Sequence, residues 1–158
     1  MTTDHNERGT TRLTAGDRRL AILDNAELVF VKNGFEATST RGIAEACDVT
    51  EPVLYRHFKG KEDLYLSVLT RMLDDGLREL SSHAPSGDLA RAARLRILEA
   101  LLLCGTTTGM QQTADLVRGN RLRLESAFSP DAVDGSGSEL ASELGKLILE
   151  RIGIAGTT

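Results

Sequence analysis

The segment Thr38–Lys61 of this 158-residue chain carries a varied set of side chains that can hydrogen-bond or form ion pairs. Hydroxyl, phenol, imidazole, carboxylate and ammonium groups all occur there. The chain has no nucleophile paired with a base, no carboxylates spaced for acid–base catalysis, no phosphate-binding loop and no cluster of metal ligands. Its three histidines, His5, His57 and His83, are far apart in the sequence. We therefore expect non-covalent binding, and predict no enzyme activity, no metal and no cofactor.

Two short helices joined by a tight turn are predicted to carry these side chains. The first helix begins at a Thr38 or Ser39 cap, and Asp48 opens the turn. Thr50 caps the second helix, with Pro52 in the first turn, where a missing N–H costs nothing. Apolar residues mark the buried faces of the two helices: Ile43, Ala44 and Cys47, then Val53, Leu54 and Phe58. This arrangement is a helix-turn-helix, whose second helix can enter the major groove of DNA.

A longer pattern surrounds the two helices. Its members are Ile22, Leu23, Ala26, Val29, Phe30, Gly34, Phe35, Thr40, Ile43, Ala44, Val49, Thr50, Leu54, Tyr55, His57, Phe58, Lys61 and Leu64. In order and spacing the segment Arg19–Leu64 resembles the DNA-binding domain of TetR-type transcriptional regulators of bacteria. The match covers about a third of the chain, and the remainder matches only in helical character. The resemblance implies a sequence-specific DNA-binding regulator, by family default a repressor.

The resemblance also implies individual DNA contacts. The positions concerned are Thr40, Arg41, Thr50, Glu51, Pro52, Val53, Tyr55, His57, Lys59 and Lys61. Thr40 matches a phosphate contact, and Arg41 matches a base or phosphate contact. The first turn of the second helix, Glu51 to Val53, is expected at base edges, whereas the later members position the helix on phosphates. Alternatives stay open: Tyr55 can belong partly to the core, and Glu51 can serve the helix dipole alone.

One departure from the family pattern falls in the turn. The family usually has Ala-Gly-Val-Ser where this chain has Cys47-Asp48-Val49-Thr50. Glycine suits a turn residue with positive φ, and aspartate is among the few other residues that tolerate it. We therefore predict that the turn survives with Asp48 at positive φ. Cys47 is expected to fill the space of a small buried alanine.

The remaining sequence predicts an all-α chain of two domains. Residues 1–16 form a mobile polar arm, 17–61 the helix-turn-helix domain and 62–158 a shortened helical domain for ligand binding and dimerisation. Asp17 is predicted to cap the helix Arg18–Asn33, which Gly34 ends. Four apolar-periodic helices follow: Lys61–Leu80, Asp88–Cys104, Met110–Phe128 and Ser138–Ile152. No repeat and no alternation typical of strands is present.

Composition narrows the class of protein further. The hydrophobic fraction is 41% and the charged fraction 27%, which is typical of globular proteins. Residues 1–61 contain nine basic and nine acidic side chains, so the net charge of −4 belongs to the second half. No apolar run reaches membrane-spanning length and no secretory signal opens the sequence. We predict a cytoplasmic protein without membrane contact or disulfide.

Partners follow from the resemblance rather than from the residues alone. It implies a homodimer that reads a palindromic operator and is released by a small-molecule inducer. Candidate ligand contacts are Met72, Leu98, Leu102, Cys104, Met110, Gln111 and Phe128, each of which can equally be plain core. Family members usually carry more helices after the DNA-binding domain than are predicted here. The alternative is a truncated module that binds DNA without ligand control or pairs with a longer relative.

Overall fold

A computed structural model describes residues 13–82, 87–107 and 110–128, together with positions 143 and 147. The described residues are helical or connecting and include no strand, so the predicted all-α fold is confirmed. The helices are α1 (Ala15–Asn33), α2 (Thr40–Ala46), α3 (Glu51–His57), α4 (Lys61–Ser81), α5 (Gly87–Thr106), α6 (Gln111–Gly119) and α7 (Arg121–Ala127). None of these helices is long and apolar enough to cross a membrane.

Helix α1 begins three residues before the predicted Arg18. Its cap is Thr14, not Asp17, because the two residues form a reciprocal capping box. The Thr14 hydroxyl accepts from the Asp17 N–H at 3.1 Å, and the Asp17 carboxylate accepts from the Thr14 N–H at 3.2 Å. At the other end Gly34 ends the helix as predicted, with φ 77°, and its N–H donates to the Phe30 carbonyl at 2.8 Å.

A single apolar core runs from α1 to α7. In its first part, α1, α2 and α3 bury Phe30, Ile43 and Leu54 completely. Helix α4 lines this part with Leu64 and Tyr65, then continues away from it and buries residues up to Leu77 in the second part. Because α4 belongs to both parts, it is the direct mechanical connection between the helix-turn-helix and the rest of the chain.

Helices α4 and α5 cross very closely. A Cβ atom added at Gly76 would lie 2.6 Å from Ile97 Cγ1 and 3.0 Å from the Ala93 carbonyl oxygen. Only a residue without a side chain therefore fits at this point. Helix α5 continues to Thr106, two residues past the predicted end at Cys104.

The predicted helix Met110–Phe128 is two helices, which is a correction. The break falls at Asn120, whose side-chain amide donates to the Leu116 carbonyl at 3.0 Å. Gly119 and Asn120 are both poor helix formers, and the local hydrogen bond competes with continuation of the helix. The predicted helix Ser138–Ile152 falls outside the described residues, apart from Glu143 and Leu147, which are helical.

Candidate nucleic-acid interface

The turn between α2 and α3 has the predicted geometry. Asp48 has φ 53°, the one positive φ at a non-glycine position in the described segments. The Val49 N–H donates to the Ala44 carbonyl at 3.0 Å and closes the turn. The Cys47 thiol is partly buried and donates to the Ile22 carbonyl at 3.8 Å. Burial raises the pKa of the Cys47 thiol, which fits a space-filling residue rather than a reactive one.

Three of the predicted DNA contacts form one hydrogen-bonded chain. The Tyr55 phenol donates to the Thr40 hydroxyl at 3.3 Å, and that hydroxyl donates to the Glu51 carboxylate at 2.7 Å. The chain joins the start of α2 to the first and second turns of α3. It fixes the angle between the two helices, and it engages one carboxylate oxygen of Glu51 before any DNA is bound.

The outward side of α3 and the residues just after it carry further predicted contacts, together with one cation that was not predicted. Pro52, Arg56 and Lys59 are exposed, and the Tyr55 side chain is 50% exposed. Opposite them, Leu54 and Phe58 are buried. Because residues in a helix are about 100° apart, Arg56 shares the outward side with Pro52 and Tyr55. Within the described part of the chain neither Arg56 nor the Lys59 ammonium has a hydrogen-bond or ion-pair partner.

Arg56 is an exposed cation on this side of α3 that sequence reasoning did not select as a contact. The usable signal was its helical phase, since it follows Tyr55 directly on the side away from Leu54. Arg41, which was selected, projects from α2 with its side chain 80% exposed and forms a 3.0 Å ion pair with Glu45. An exposed pair of this kind is easily exchanged for a phosphate or a base.

Two cations from neighbouring helices hold the ends of the motif. Arg19 of α1 donates to the His57 carbonyl at 2.6 Å, and its guanidinium lies 4.1 Å from the centroid of the Phe58 ring. Lys61 at the start of α4 donates to the Phe35 carbonyl at 3.0 Å, and its ammonium lies 4.1 Å from the centroid of the Phe35 ring. Lys61, predicted as a phosphate contact, thus also has a positioning role, and Arg19 was not predicted at all.

A buried tyrosine connects this region with α5. The Tyr65 ring lies 4.8 Å from that of Phe30 and 4.9 Å from that of Phe35, measured between centroids. Its hydroxyl donates to the Leu103 carbonyl at 2.9 Å and is 2.9 Å from the Thr107 hydroxyl. Burial raises the pKa of Tyr65 to about 12, so the phenol stays protonated and can donate.

An ionic network provides a second connection between α1, α4 and α5. Glu27 of α1 pairs with Arg96 of α5 at 2.8 Å. Arg71 of α4 pairs with Asp24 of α1 and lies 3.6 Å from Asp75 on its own helix. Burial raises the pKa of Glu27, against the opposing effect of Arg96. Two turns of α1 are therefore tied to the second part of the molecule by charge as well as by apolar contact.

The seven ligand candidates occupy different environments. Met72, Leu98, Cys104 and Phe128 are buried in the core, whereas Leu102 and Gln111 are exposed and Met110 is half-buried. None of the seven lines the cleft of about 480 Å³ that lies beside α1 and α4. That cleft is lined by Arg19, Leu23, Leu66, Ser67, Thr70, Arg71, Asp74, Asp75 and Arg78. Among the described residues no group of histidine, cysteine and carboxylate side chains is arranged to hold a metal ion.

Comparison with known proteins shows which family the first part of the chain is similar to. The profile of bacterial regulatory proteins of the tetR family matches residues 22–68. The chain is 44% identical over 70 residues to the transcriptional activator FasR of Mycolicibacterium smegmatis, a match covering 44% of this chain and 32% of FasR. It is 36% identical over 85 residues to the transcriptional repressor KstR2 of Rhodococcus jostii, covering 54% and 40%. In both cases the chain spans less than half of the relative's length.

Two solved structures share the fold over most of the chain. A TetR family protein from Vibrio parahaemolyticus aligns with TM-score 0.53 at 18% identity, covering 90% of each chain. AibR, in complex with isovaleryl coenzyme A and operator DNA, aligns with TM-score 0.52 at 22% identity, covering 85% of each. At these identities the likeness establishes the fold, including the helical part after α4.

Proposed function

Because the chain belongs to the TetR family of bacterial regulatory proteins through residues 22–68, we propose that it is a cytoplasmic, sequence-specific DNA-binding regulator of transcription and not an enzyme. The outward face of α3 carries this proposal. Pro52, Tyr55 and Arg56 are exposed there, on a helix whose opposite side is buried and whose last residue, His57, is held through its carbonyl by Arg19. A short helix fixed in this way can enter the major groove without first being ordered.

The contacts divide into two kinds. Base edges are read by four residues: Arg41, Glu51, Pro52 and Val53. Arg41 gives up its ion pair with Glu45 and hydrogen-bonds the edge of a guanine instead. Thr40, Thr50, Tyr55, His57, Lys59 and Lys61 position the helix on phosphates. Arg56 joins the second set, since its guanidinium is exposed and has no partner within the described residues.

The operating unit is a homodimer on a palindromic operator. Two recognition helices in successive major grooves on one face of DNA are about 34–36 Å apart. Of the two relatives named above, one is an activator and one a repressor. We assign repression, by occupation of a promoter. A reporter gene that loses rather than gains expression when the chain is deleted would reverse this sign and leave DNA binding intact.

A small molecule bound among the helices after α4 releases the operator. The candidate contacts remain Met72, Leu98, Leu102, Cys104, Met110, Gln111 and Phe128. A ligand acts only through unequal affinity for the DNA-binding and released states. Besides α4 itself, the Tyr65 bond to α5 and the Arg96–Glu27 ion pair connect such a site with the first part of the molecule. Isovaleryl coenzyme A is the first compound to test, as a thermal shift of the free protein and as loss of the operator complex.

The decisive experiment is binding of the purified chain to its own upstream DNA, measured at several salt concentrations. Lys59→Ala should weaken binding to operator and unrelated DNA alike and reduce the salt slope by about one unit. Arg41→Ala should instead relax preference at one base pair, with a loss of about 1–3 kcal/mol for the preferred sequence. Arg118→Ala, which removes an exposed charge from α6, is the matched control. Absence of saturable binding in the unmodified protein would refute the proposal.

A further inference from the structure

Glu51 brings a negative charge to the helix that is proposed to lie between two rows of phosphates. It is the first residue of α3 and is partly buried. Within the described part of the chain its carboxylate has no ion-pair partner, and the hydrogen bond that it accepts comes from the Thr40 hydroxyl, at 2.7 Å from Oε1. The helix dipole favours a carboxylate at this position. The dipole gives no reason, however, for a bond that reaches across to α2.

The hydrogen bonds that end at Glu51 have a direction. The Tyr55 phenol donates to the Thr40 oxygen at 3.3 Å, and Thr40 donates to Glu51. A hydroxyl group has one proton to donate. Both hydroxyls therefore use their protons inside the protein, and neither can donate to a phosphate without breaking the chain. Because the Thr40 oxygen already accepts from Tyr55, its own proton is directed at the carboxylate, and bonds in such a series strengthen one another.

The chain leaves one oxygen of the carboxylate available. Oε1 accepts from Thr40, whereas no described residue donates to Oε2 of Glu51. In the major groove cytosine presents a single donor, its N4 amino group. Guanine and thymine present acceptors there, which repel a carboxylate, and adenine presents a donor beside an acceptor, which suits an amide better. One acceptor oxygen in a fixed orientation therefore matches cytosine.

We propose that Glu51 selects a cytosine in each half-site of the operator, and that Thr40 and Tyr55 are positioning residues that hold its carboxylate for this contact. The inference rests on the proposed function and narrows it, since the two hydroxyls serve Glu51 in place of a phosphate. Selection comes chiefly from rejection of the other bases. A carboxylate that faces guanine or thymine is a desolvated charge without a donor. The bond from Thr40 keeps the side chain from turning back into water.

The competing explanation is that the chain only ties α2 to α3. Other contacts already do this. Ile43 and Leu54 are fully buried between the helices, and the Val49 N–H closes the turn on the Ala44 carbonyl at 3.0 Å. The two explanations predict different results on DNA. A structural tie affects binding to every sequence alike, whereas a positioning role affects discrimination at one base pair of each half-site.

Substitution of Glu51 tests the contact with cytosine. The purified chain is bound to duplexes of its upstream DNA in which each base pair of the site is replaced in turn. Glu51→Gln should reduce discrimination at one C·G pair per half-site about tenfold and move the preference there toward A·T, because the glutamine amide pairs with adenine. Binding to unrelated DNA should not weaken, since a negative charge is removed beside phosphates. Glu36→Gln, which neutralises an exposed carboxylate before α2, is the matched control and should keep every preference.

Substitution of Thr40 tests the positioning role. Thr40→Val keeps the shape of the side chain and removes the donor, so discrimination should fall at the same base pair, to within about threefold of the fall in Glu51→Gln. The double variant T40V/E51Q should lose no more than Glu51→Gln alone, because the two residues act as one unit. Thr40→Ser keeps the hydroxyl and should retain the preference. Thr50→Val is the control for a phosphate contact, since this exposed hydroxyl makes no capping bond, and its loss should be equal on every duplex.

The outcomes separate this inference from the proposed function. Saturable binding that Glu51→Gln changes equally on every duplex keeps the regulator and refutes the cytosine contact. A uniform loss in Thr40→Val, with the cytosine preference intact, returns the Thr40 hydroxyl to a phosphate and overturns the positioning role. Circular dichroism of each variant should show the helix content of the unmodified chain. Absence of saturable binding by the unmodified chain would refute the function and the inference together.

Discussion

The helix-turn-helix is stabilised by a different kind of contact from the one that stabilises the α4–α5 pair. Helices α2 and α3 have seven residues each, too short to be stable alone. Side chains from α1 and α4 fix them by donating to backbone carbonyls. Arg19 of α1 donates to the His57 carbonyl, and Lys61 of α4 donates to the Phe35 carbonyl. Helices α4 and α5 have 21 and 20 residues and rely on close apolar packing at Gly76. Short elements need specific polar anchors, whereas long ones need shape complementarity.

The largest effect is expected where the long helices cross. Gly76→Ala should lower the free energy of unfolding by about 2 kcal/mol, because the new methyl group has no room beside Ile97 and the Ala93 carbonyl. Urea denaturation measures the loss. Gly119→Ala is the matched control, since nothing lies within 4 Å of an added Cβ there. It should be neutral or slightly stabilising. Equal losses at the two glycines would show that packing at the crossing is not the cause.

An intermediate effect is expected at the polar anchor of α3. Arg19→Met keeps an unbranched apolar side chain but removes the guanidinium that lies over Phe58 and donates to the His57 carbonyl, at an expected cost of about 1.5 kcal/mol. Operator affinity should fall as well, because the end of α3 is released. Arg41→Met, which breaks only an exposed ion pair with Glu45, should change stability by less than about 0.5 kcal/mol. If the two variants are equally stable, the anchor does not hold the motif.

The smallest effect on stability is expected at the tyrosine that joins the two regions. Tyr65→Phe removes one buried hydroxyl and should cost about 1 kcal/mol, because the Thr107 hydroxyl still donates to the Leu103 carbonyl at 2.8 Å. Tyr55→Phe, at a half-exposed ring, should cost less. The ligand response offers a second readout, since only Tyr65→Phe should weaken coupling between α5 and α3. An unchanged response would remove Tyr65 from the coupling route.

Alkaline titration tests the burial of the Tyr65 phenol directly. Burial raises the pKa of Tyr65 from 10.0 to about 12, so the folded state favours the protonated phenol. The contribution of the Tyr65 phenol to stability is complete below its pKa in the unfolded chain, and it is lost as the pH rises from about 10 to about 12. In the Tyr55→Phe variant Tyr65 is the remaining tyrosine of two, so tyrosinate absorbance should appear only near pH 12 or on unfolding. Absorbance at pH 10 in the folded variant would contradict this burial.

Local sequence patterns were sufficient for the elements of the helix-turn-helix. The apolar spacing of Ile43, Ala44 and Leu54 gave the right faces, and the chemistry of aspartate gave the positive φ at Asp48. These features depend on neighbours within a few residues. Errors arose where two local signals competed. Asp17 is a good cap in isolation, but Thr14 with Asp17 forms a better one, and the apolar stripe through residues 110–128 concealed the break at Asn120.

Sequence alone was sufficient for the all-α class, for helix α3 and for its buried face, because periodicity, capping and turn chemistry act over one or two helical turns. Tertiary structure alone decided that Thr40, Glu51 and Tyr55 form one hydrogen-bonded chain and that Arg19 and Lys61 anchor the motif. It also decided that Leu95 and Leu102 stay exposed. A side chain's partner across 26 or 38 residues depends on how whole helices pack, and no local pattern specifies that packing.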